Sequence, residues 1–305
     1  EHHDPTDVIV VISKPPAKEV RDEVVALLQK CTKPVVAIFL GEKPENHEGK
    51  VYLAHTLEET ARMAVDLANG DPIKDNYCDP IDYEVSRPLA ADKTVKGLYS
   101  GGSLAAEAGM LIAEALNLGG LIKEEGYILK TGGYEVVDLG DDVYTQGKPH
   151  PMIDPEVRIK KILECAKDPQ TGVILLDCML GYGCHPDMAG ALAPAIREAQ
   201  KIAKADGREL YFVASVCGTR QDPQDYDRAV AELKECGVLV EESNARAIRL
   251  ALKLKGIDYK ENTRGHVEAA VDETPLPEPD EKIMELLNTK PRVINVGVRS
   301  FNDSI

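Results

Sequence analysis

A short apolar segment is separated from a helical pattern by four small residues of the kind that bind anions: Ser100, Gly101, Gly102 and Ser103. Residues 95–99, which precede them, are apolar and partly β-branched, as in a buried strand. Apolar residues then recur at the spacing of an amphipathic helix, with Ser103 as its predicted N-cap. A helix that begins after such a turn presents free N–H groups and its positive dipole end to an anion. The pattern equally fits a tight turn whose glycines only let the helix pack on the sheet.

Two more glycine-containing loops follow predicted strands. Gly181 and Gly183 come after the apolar segment 173–177, and Gly218 and Thr219 come after the segment 210–216. The carboxyl ends of parallel strands meet at one edge of a sheet, where ligands bind in open α/β folds. We therefore predict that these residues share one pocket for a small anionic substrate with the four residues of the first turn.

His185, between Cys184 and Pro186, is a candidate catalytic residue. Its imidazole has the chemistry of a general base, or of a donor to a phosphate or carbonyl oxygen. The alternative is structural, with His185 and Asp187 capping the helix that follows. A metal site built from Cys178, Cys184, His185 and Asp187 would match no standard zinc spacing, so we predict no metal.

His150 is a second candidate catalytic residue, held between Pro149 and Pro151. Three acidic residues lie near it in the sequence: Asp141, Asp142 and Asp154. Their carboxylates could raise the pKa of the imidazole or hold a divalent ion. The alternative is a structural loop that carboxylate caps hold in place, and the sequence leaves both interpretations open.

Arg220 is the third candidate catalytic residue. Its planar guanidinium matches the geometry of a substrate carboxylate or phosphate. The alternative is an Arg–Asp pair that only shapes the loop. The nearby Asp222 precedes Pro223, a position typical of a helix cap.

Composition restricts the classes of partner. The chain has 305 residues and a net charge of −16, which disfavours nucleic acid and anionic membrane surfaces. Aromatic residues are only 5% and Trp is absent, which also disfavours base stacking. Seven cysteines without a CxxC motif, and no apparent signal peptide or long apolar run, indicate a cytoplasmic protein with mostly buried thiols.

Alternating predicted strands and helices indicate two flavodoxin-like, doubly wound α/β lobes, of which the first is incomplete. We place the C-terminal part of the first lobe at residues 1–70 and a polar linker at 71–93. The second flavodoxin-like domain covers residues 94–256, and a mobile connector with the start of a C-terminal segment covers 257–305. The apolar segments near both ends lead us to expect a fragment of a longer protein, or one product of a split gene.

Several motifs together resemble those of FdrA-type proteins, relatives of the NDP-forming acyl-CoA synthetases such as the succinyl-CoA ligase α chain. They are residues 11–16 (VISKPP), 38–41 (IFLG), 97–107 (GLYSGGSLAAE), 138–142 (DLGDD), 147–155 (GKPHPMIDP), 175–177 (LLD), 181–183 (GYG), 218–219 (GT), 222–223 (DP) and 293–301 (VINVGVRSF). The resemblance covers nearly the whole chain. It implies a succinyl-CoA-ligase-like fold and an N-terminal CoA-binding-like domain outside this sequence.

The resemblance also implies a function. We expect a subunit of a multi-subunit carbamoyl-transfer enzyme, similar to oxamate carbamoyltransferase in ureide breakdown, that forms a homo-oligomer and contacts other subunits. Carbamoyl phosphate, or CoA and a nucleotide, would be substrates, and the resemblance makes no bound cofactor certain. The alternatives are an NDP-forming acyl-CoA synthetase and a non-catalytic scaffold. The ligases work through a phosphorylated histidine, but residues 218–222 hold no His, which favours carbamoyl transfer.

Overall fold

Strands and helices alternate along the chain in a computed structural model that describes residues 1–119, 122, 124–260, 263–269, 274–290, 292–294 and 296. The strands are β1 (Ile9–Ser13), β2 (Val35–Phe39), β3 (Asn46–Glu48), β4 (Val51–Leu53), β5 (Thr94–Tyr99), β6 (Tyr127–Thr131), β7 (Tyr134–Asp138), β8 (Thr171–Met179), β9 (Tyr211–Cys217), β10 (Val238–Glu241) and β11 (Gly265–Val267). The helices are α1 (Lys18–Leu28), α2 (Leu57–Asn69), α3 (Gly102–Leu116), α4 (Asp142–Thr145), α5 (Glu156–Lys167), α6 (Met188–Ala205), α7 (Tyr226–Glu235), α8 (Asn244–Leu254) and α9 (Glu281–Asn288).

The chain divides into two compact units. The first contains Glu1–Asp79 and the described residues of the range 260–298, and the second contains Pro80–Tyr259. Residues 71–93, predicted to be a linker, contribute to the core of both units. Tyr77 is buried in the first unit, and Leu89 packs against the core of the second.

The first unit is built on a sheet with the strand order β1-β2-β4-β3-β11. The pairs β1–β2, β2–β4 and β3–β11 are parallel, and β3–β4 is antiparallel. Alternate residues of β2 enter two separate cores: Val35 packs with residues of α1, and Val36 packs with residues of α2. Because helices cover both faces, every residue of β2 is buried.

The segment predicted to be a mobile connector supplies β11 to the sheet of the first unit. Gly265, His266 and Val267 pair in register with Asn46, His47 and Glu48. The preceding Arg264 forms a buried ion pair with Glu59 near the start of α2. Local sequence reasoning missed this contact, because the paired residues lie 205 positions apart.

The second unit has a six-stranded sheet with the order β10-β9-β8-β5-β7-β6, in which only the hairpin strand β6 runs antiparallel. Helices α3 and α8 supply the core on one face, and α5, α6 and α7 supply the core on the other. The central strand β8 is buried from Thr171 to Cys178 and carries almost only apolar residues, as expected when both faces are covered. The predicted fold class, two flavodoxin-like α/β lobes with mainly parallel sheets, is confirmed. Within the described residues, none of the helices combines the length and apolarity that crossing a bilayer needs.

Candidate functional site

The turn after β5 and the end of β8 meet at the centre of the second sheet. From β5 the chain passes through α3 and β6 to β7 on one side, whereas β8 lies on the other side of β5. Such a reversal in strand order leaves a crevice beyond the carboxyl ends of the strands, and ligands bind there in open α/β folds. The turns after β5, β8 and β9 lie at the same edge, as the sequence predicts, because these three strands are parallel neighbours.

The carboxylate of Asp177 accepts hydrogen bonds from Ser100 and Gly101 in the turn after β5. The Ser100 N–H lies 3.0 Å from both of its oxygens, and the Ser100 hydroxyl donates to Oδ2 over 2.9 Å. The Gly101 N–H donates to Oδ2 over 3.0 Å. The prediction that Ser100 and Gly101 bind an external anion therefore needs correction in this structure, because an internal carboxylate already takes these donors.

Arg158 balances the charge of Asp177 from beneath the turn. Its Nη2 lies 2.9 Å from Asp177 Oδ1 and 2.6 Å from the Asp177 carbonyl oxygen. Both side chains are 0% exposed. A pair buried to this extent is compatible with folding because the charges neutralise each other and the carboxylate accepts several further hydrogen bonds. Sequence reasoning placed Asp177 in the motif of residues 175–177 but assigned no role to it or to Arg158. The sequence feature that could have revealed the role of Asp177 is a carboxylate near the end of an otherwise apolar strand.

Helix α3 begins at Gly102, with Gly101 as its N-cap and no side-chain cap. The prediction of Ser103 as the N-cap is thus wrong by two residues, because Asp177 fixes the turn earlier in the chain. The N–H groups of Gly102 and Ser103 lie in the first turn, where no intrahelical acceptor exists. No other described residue accepts a hydrogen bond from them, and both residues are partly exposed. Of the four residues 100–103 in the predicted anion site, these two have N–H groups that remain open.

His150 lies beside this turn. A Cβ atom added at Gly140 would lie 2.5 Å from His150 Nε2 and 2.9 Å from the Ser100 carbonyl oxygen, so all three groups are close neighbours. The Nδ1 atom of His150 accepts the Met152 N–H over 3.2 Å, which leaves Nε2 as the protonated nitrogen of the neutral ring.

Two of the acids near His150 in the sequence cap helices or turns. The Asp141 side chain accepts from Val143 N at the start of α4, and Asp154 Oδ1 accepts from Glu156 N. These two carboxylates therefore act as caps, as in the alternative of a structural loop around His150. No group of three or more metal-ligating side chains occurs among the described residues.

The backbone of His185 contacts Met152, two residues after His150. Its N–H donates to the Met152 carbonyl oxygen over 2.7 Å, and its Nδ1 accepts from Asp187 N over 3.0 Å. Asp187 in turn caps α6 by accepting from Gly190 N. His185 therefore has the helix-capping contacts of the structural alternative. Because Met152 also donates to His150, its backbone links the two predicted catalytic histidines.

The turn after β8 contains the predicted residues Gly181 and Gly183. Its ends are joined by a hydrogen bond of 3.1 Å from Cys184 N to Gly181 O, which places Gly183 within the turn. The side chain of Gln224 bonds both backbone groups of Gly181. This N–H is therefore occupied within the chain and is not an open donor.

Arg220 and Thr219 take part in contacts away from the turn after β5. The guanidinium of Arg220 pairs bidentately with Asp227 at 3.0 and 2.9 Å, and its side chain is 74% exposed. Thr219 N donates to Asp222 Oδ2 over 2.6 Å. The expected Arg–Asp alternative is thus present, but with Asp227 as the partner. Helix α7 is capped by Asp225 instead of Asp222.

Gly218 lies close to the turn after β8 for a packing reason. A Cβ atom at this position would lie 2.6 Å from Leu180 Cβ, so only glycine fits without displacement. Together with Thr219 and Arg220 it lines a surface cavity of about 470 Å³ between the ends of β9 and β10. None of residues 100–103 lines this cavity, so the predicted anion residues divide between two places.

The thiols near this edge have the character of protonated, weakly reactive cysteines. Burial raises the pKa of Cys178 to about 12. Burial, followed by the charge of Asp222 for Cys184 and of Asp177 for Cys217, raises the pKa of these two thiols as well. Because the thiolate is the nucleophile, the structure offers no activated cysteine among these three.

Comparison with known proteins agrees with this architecture. Residues 98–254, which contain the turn after β5, Asp177 and both histidines, match the CoA-ligase family. An uncharacterised protein of Escherichia coli K12, YahF, is 35% identical over 268 residues, which are 82% of this chain and 51% of YahF. The chain therefore spans about half the length of this curated relative. On these matches and on its mainly parallel α/β fold, the chain belongs to the CoA-ligase family.

Proposed function

We propose that the second unit binds an anionic acyl or phosphoryl group at the N-terminus of α3 and takes part in chemistry of the acyl-CoA-ligase type. The observation that carries the proposal is the uncapped helix start at Gly102 and Ser103, at the point where the strand order reverses. Two open N–H groups and the positive dipole end favour a negatively charged group there. The match to the CoA-ligase family supports an acyl or phosphoryl group as that ligand.

Asp177 supports this role by shaping the turn. Its carboxylate holds Ser100 and Gly101 through hydrogen bonds from both N–H groups and the hydroxyl. Arg158 offsets its negative charge, so the carboxylate repels a second anion less than an unpaired one would. The N–H groups of the next two residues, Gly102 and Ser103, follow directly on a turn that these bonds hold in place. A rigid arrangement of this kind lowers the entropy cost of binding.

His150 is the residue best placed to act on the bound group. Its Nε2 lies near the Ser100 carbonyl, and the Met152 N–H holds its Nδ1. As a neutral imidazole it would donate from Nε2 to an oxygen of the ligand, which stabilises developing charge in acyl or phosphoryl transfer. In a covalent mechanism Nε2 would first give up its proton to a base and then accept the phosphoryl group, and phosphorylation of His150 is the observation that would indicate this route.

Carbamoyl transfer, as in FdrA-type proteins, is the second candidate function. The observation in its favour is that residues 218–222, where the ligase pattern would place the phosphohistidine, read GTRQD. Transfer of a carbamoyl group needs an oxyanion pocket and clamps for phosphate and acceptor, without a phosphorylated side chain. Arg220 would serve as a clamp only after leaving Asp227. In either case we propose a multi-subunit assembly with a small anionic substrate.

Calorimetric titration with inorganic phosphate, carbamoyl phosphate and CoA tests the proposal. We expect phosphate binding to the wild type and its loss in Ser103→Asp. A carboxylate in the first helical turn is favourable for α3 but repels an anion. Ser103→Ala is the matched control and should keep both fold and binding. If the wild type binds none of the three compounds, or if Ser103→Asp binds them normally, the proposal is wrong.

Incubation of the native assembly with nucleotide, CoA and a carboxylic acid, or with inorganic phosphate and an oxamate derivative that carries a carbamoyl group, then separates the candidates. Protein phosphorylation or a thioester product indicates the acyl-CoA synthetase. Carbamoyl phosphate formed from an oxamate derivative indicates the transferase. If Ser103→Asp and His150→Ala leave turnover by the assembly unchanged, the subunit is a scaffold.

A further inference from the structure

The side chain of Gln224 makes three hydrogen bonds to the turn after β8. Its Oε1 accepts from Gly181 N over 2.9 Å, and its Nε2 donates to Gly181 O over 2.8 Å. A third bond of 3.3 Å runs from Nε2 to His185 O. The amide thus pairs with both backbone groups of one residue, as a neighbouring strand would, although Gln224 lies 43 positions away in the sequence.

Gly181 has a backbone conformation that needs such support. Its φ angle is +138°, which residues other than glycine rarely adopt. Glycine also loses the most conformational freedom on folding, so a turn built on it is held by its contacts and not by its own preference. The partly buried amide of Gln224 supplies two of these contacts.

We propose that Gln224 is a positioning residue, which fixes the turn after β8 and, through His185 and Met152, the orientation of the His150 ring. This inference rests on the proposed function in one respect, because it assigns Gln224 to the same anion site. It adds a residue that touches neither the open N–H groups nor a histidine ring.

The path from Gln224 to His150 is a continuous series of short contacts. Gln224 binds the His185 carbonyl, and the His185 N–H donates to Met152 O over 2.7 Å. The Met152 N–H then donates to His150 Nδ1 over 3.2 Å. Each step restricts a backbone segment by one hydrogen bond. A shift of the turn after β8 would therefore change the position of Met152 and the ring of His150.

A second contact between α7 and this region is weaker. Arg228 Nη2 lies 3.2 Å from Asp187 Oδ2, but the two side chains are 62% and 42% exposed. Exposed ion pairs contribute little because water screens them and ordering long side chains costs entropy. Of these two polar contacts, the partly buried Gln224 amide, just before the cap of α7, therefore holds the turn more firmly.

The test compares Gln224→Met with Gln221→Met in the full chain. Methionine has a similar size but cannot pair with Gly181. Gln221 is exposed and its side chain makes no hydrogen bond among the described residues, so it is the matched control. The measurements are the NMR signals of the histidine rings, hydrogen exchange at the Gly181 and His185 amides, and phosphate affinity by calorimetry.

In Gln224→Met we expect faster exchange at both amides and shifted signals for the rings of His150 and His185. The His47 signals, in the first unit, should stay unchanged. Phosphate should bind about tenfold more weakly, which lies within the range for residues that act through a hydrogen-bond network. Gln221→Met should behave as the wild type in every measurement.

Unchanged ring signals for His150 in a folded Gln224→Met would overturn the inference. If the wild type binds no phosphate, the proposed function fails, and the ring signals alone still decide the role of Gln224. Should Gln224→Met fail to fold, Gln224→Glu takes its place. That variant keeps the acceptor for Gly181 N and loses only the two donated bonds, so the same comparison applies.

Discussion

Arg158 Nη2 lies 2.9 Å from Asp177 Oδ1 beneath the turn that begins α3, and neither side chain is exposed. The pair has an exposed counterpart in the same unit. Arg220 Nη2 and Asp227 Oδ1 are also 2.9 Å apart, but their side chains are 74% and 66% exposed. The two pairs have the same residue types and the same N–O distance. A comparison of the two therefore shows how burial alone changes the contribution of an Arg–Asp pair to stability.

Asp177→Asn should destabilise the protein strongly. It leaves the buried guanidinium of Arg158 without a counter-charge, for which we expect a loss of about 3–5 kcal/mol in the free energy of unfolding. Asp227→Asn, the control, should cause no measurable loss, because water solvates Arg220 when its partner is neutral. Urea unfolding of both variants measures the difference. Similar losses in the two variants would contradict the assignment of Asp177 as a buried, paired carboxylate.

Gly140→Ala should disturb the contact between His150 and the turn after β5. The new methyl group would lie 2.5 Å from His150 Nε2 and 2.9 Å from the Ser100 carbonyl oxygen. We expect a loss of roughly 1–3 kcal/mol in the free energy of unfolding and a changed NMR signal of the His150 ring. Gly119→Ala is the control, since a Cβ atom there has no neighbour within 4 Å. An unchanged His150 signal in Gly140→Ala would show that the ring is not in this place.

The first unit should lose stability in weak acid through His47. Burial and the positive charge of Arg264 lower the pKa of His47 from 6.5, although Glu59 acts in the opposite direction. The folded state therefore prefers the neutral ring, and Leu53 N donates to its Nδ1 over 3.0 Å. The unfolded chain binds a proton at His47 more readily than the folded protein does. The neutral ring therefore contributes its full share of the free energy of unfolding at a pH above the pKa of His47 in the unfolded chain. This stability is lost as the pH falls from about 6.5 through the lowered pKa that His47 has in the folded protein.

Denaturant unfolding between pH 7.5 and pH 5 tests this expectation. His47→Asn keeps an acceptor near Leu53 N but does not titrate, so its stability should fall less with acid than that of the wild type. Substitution of the exposed His2 by Asn provides the control and should leave the pH dependence unchanged. If the wild type and His47→Asn have parallel pH profiles, His47 is not responsible.

Two buried thiols should resist alkylation in the folded protein. Burial raises the pKa of Cys178 to about 12 and that of Cys165 to about 11. The thiolate fraction at pH 8 is therefore far smaller than in an unfolded chain, and access to the sulfur is blocked. Iodoacetamide pulses followed by peptide mass spectrometry should label both residues only after denaturation in urea. Rapid labelling of folded protein at pH 8 would contradict the buried position of β8 and α5.

Local patterns in the sequence were sufficient to predict most elements of the second unit. The apolar run of β8, the hairpin of β6 and β7, and the apolar spacing in α3 each depend on neighbouring residues, which the sequence displays directly. The same patterns predicted that the turns after β5, β8 and β9 lie at one edge. That follows from parallel pairing alone.

The partners of polar groups depended on contacts between distant segments. Asp177 reaches the turn after β5 across 77 positions, and Gln224 reaches Gly181 across 43. Nothing in the local pattern states which carboxylate or amide will face a given N–H group. For this reason Gly102 and Ser103 are the two of the four predicted donors in residues 100–103 that stay open, and Arg220 proved to be paired with Asp227.

The sequence by itself thus determined the alternation of most strands and helices, the α/β class and the glycine turn before α3, because these follow from side-chain periodicity and backbone freedom. Only the tertiary structure decided that a buried carboxylate fills the first half of that turn, that Met152 joins the two histidines, and that β11 completes the first sheet. These features arise where segments far apart in the chain come within hydrogen-bonding distance, and the balance of burial and pairing there is set by the whole fold.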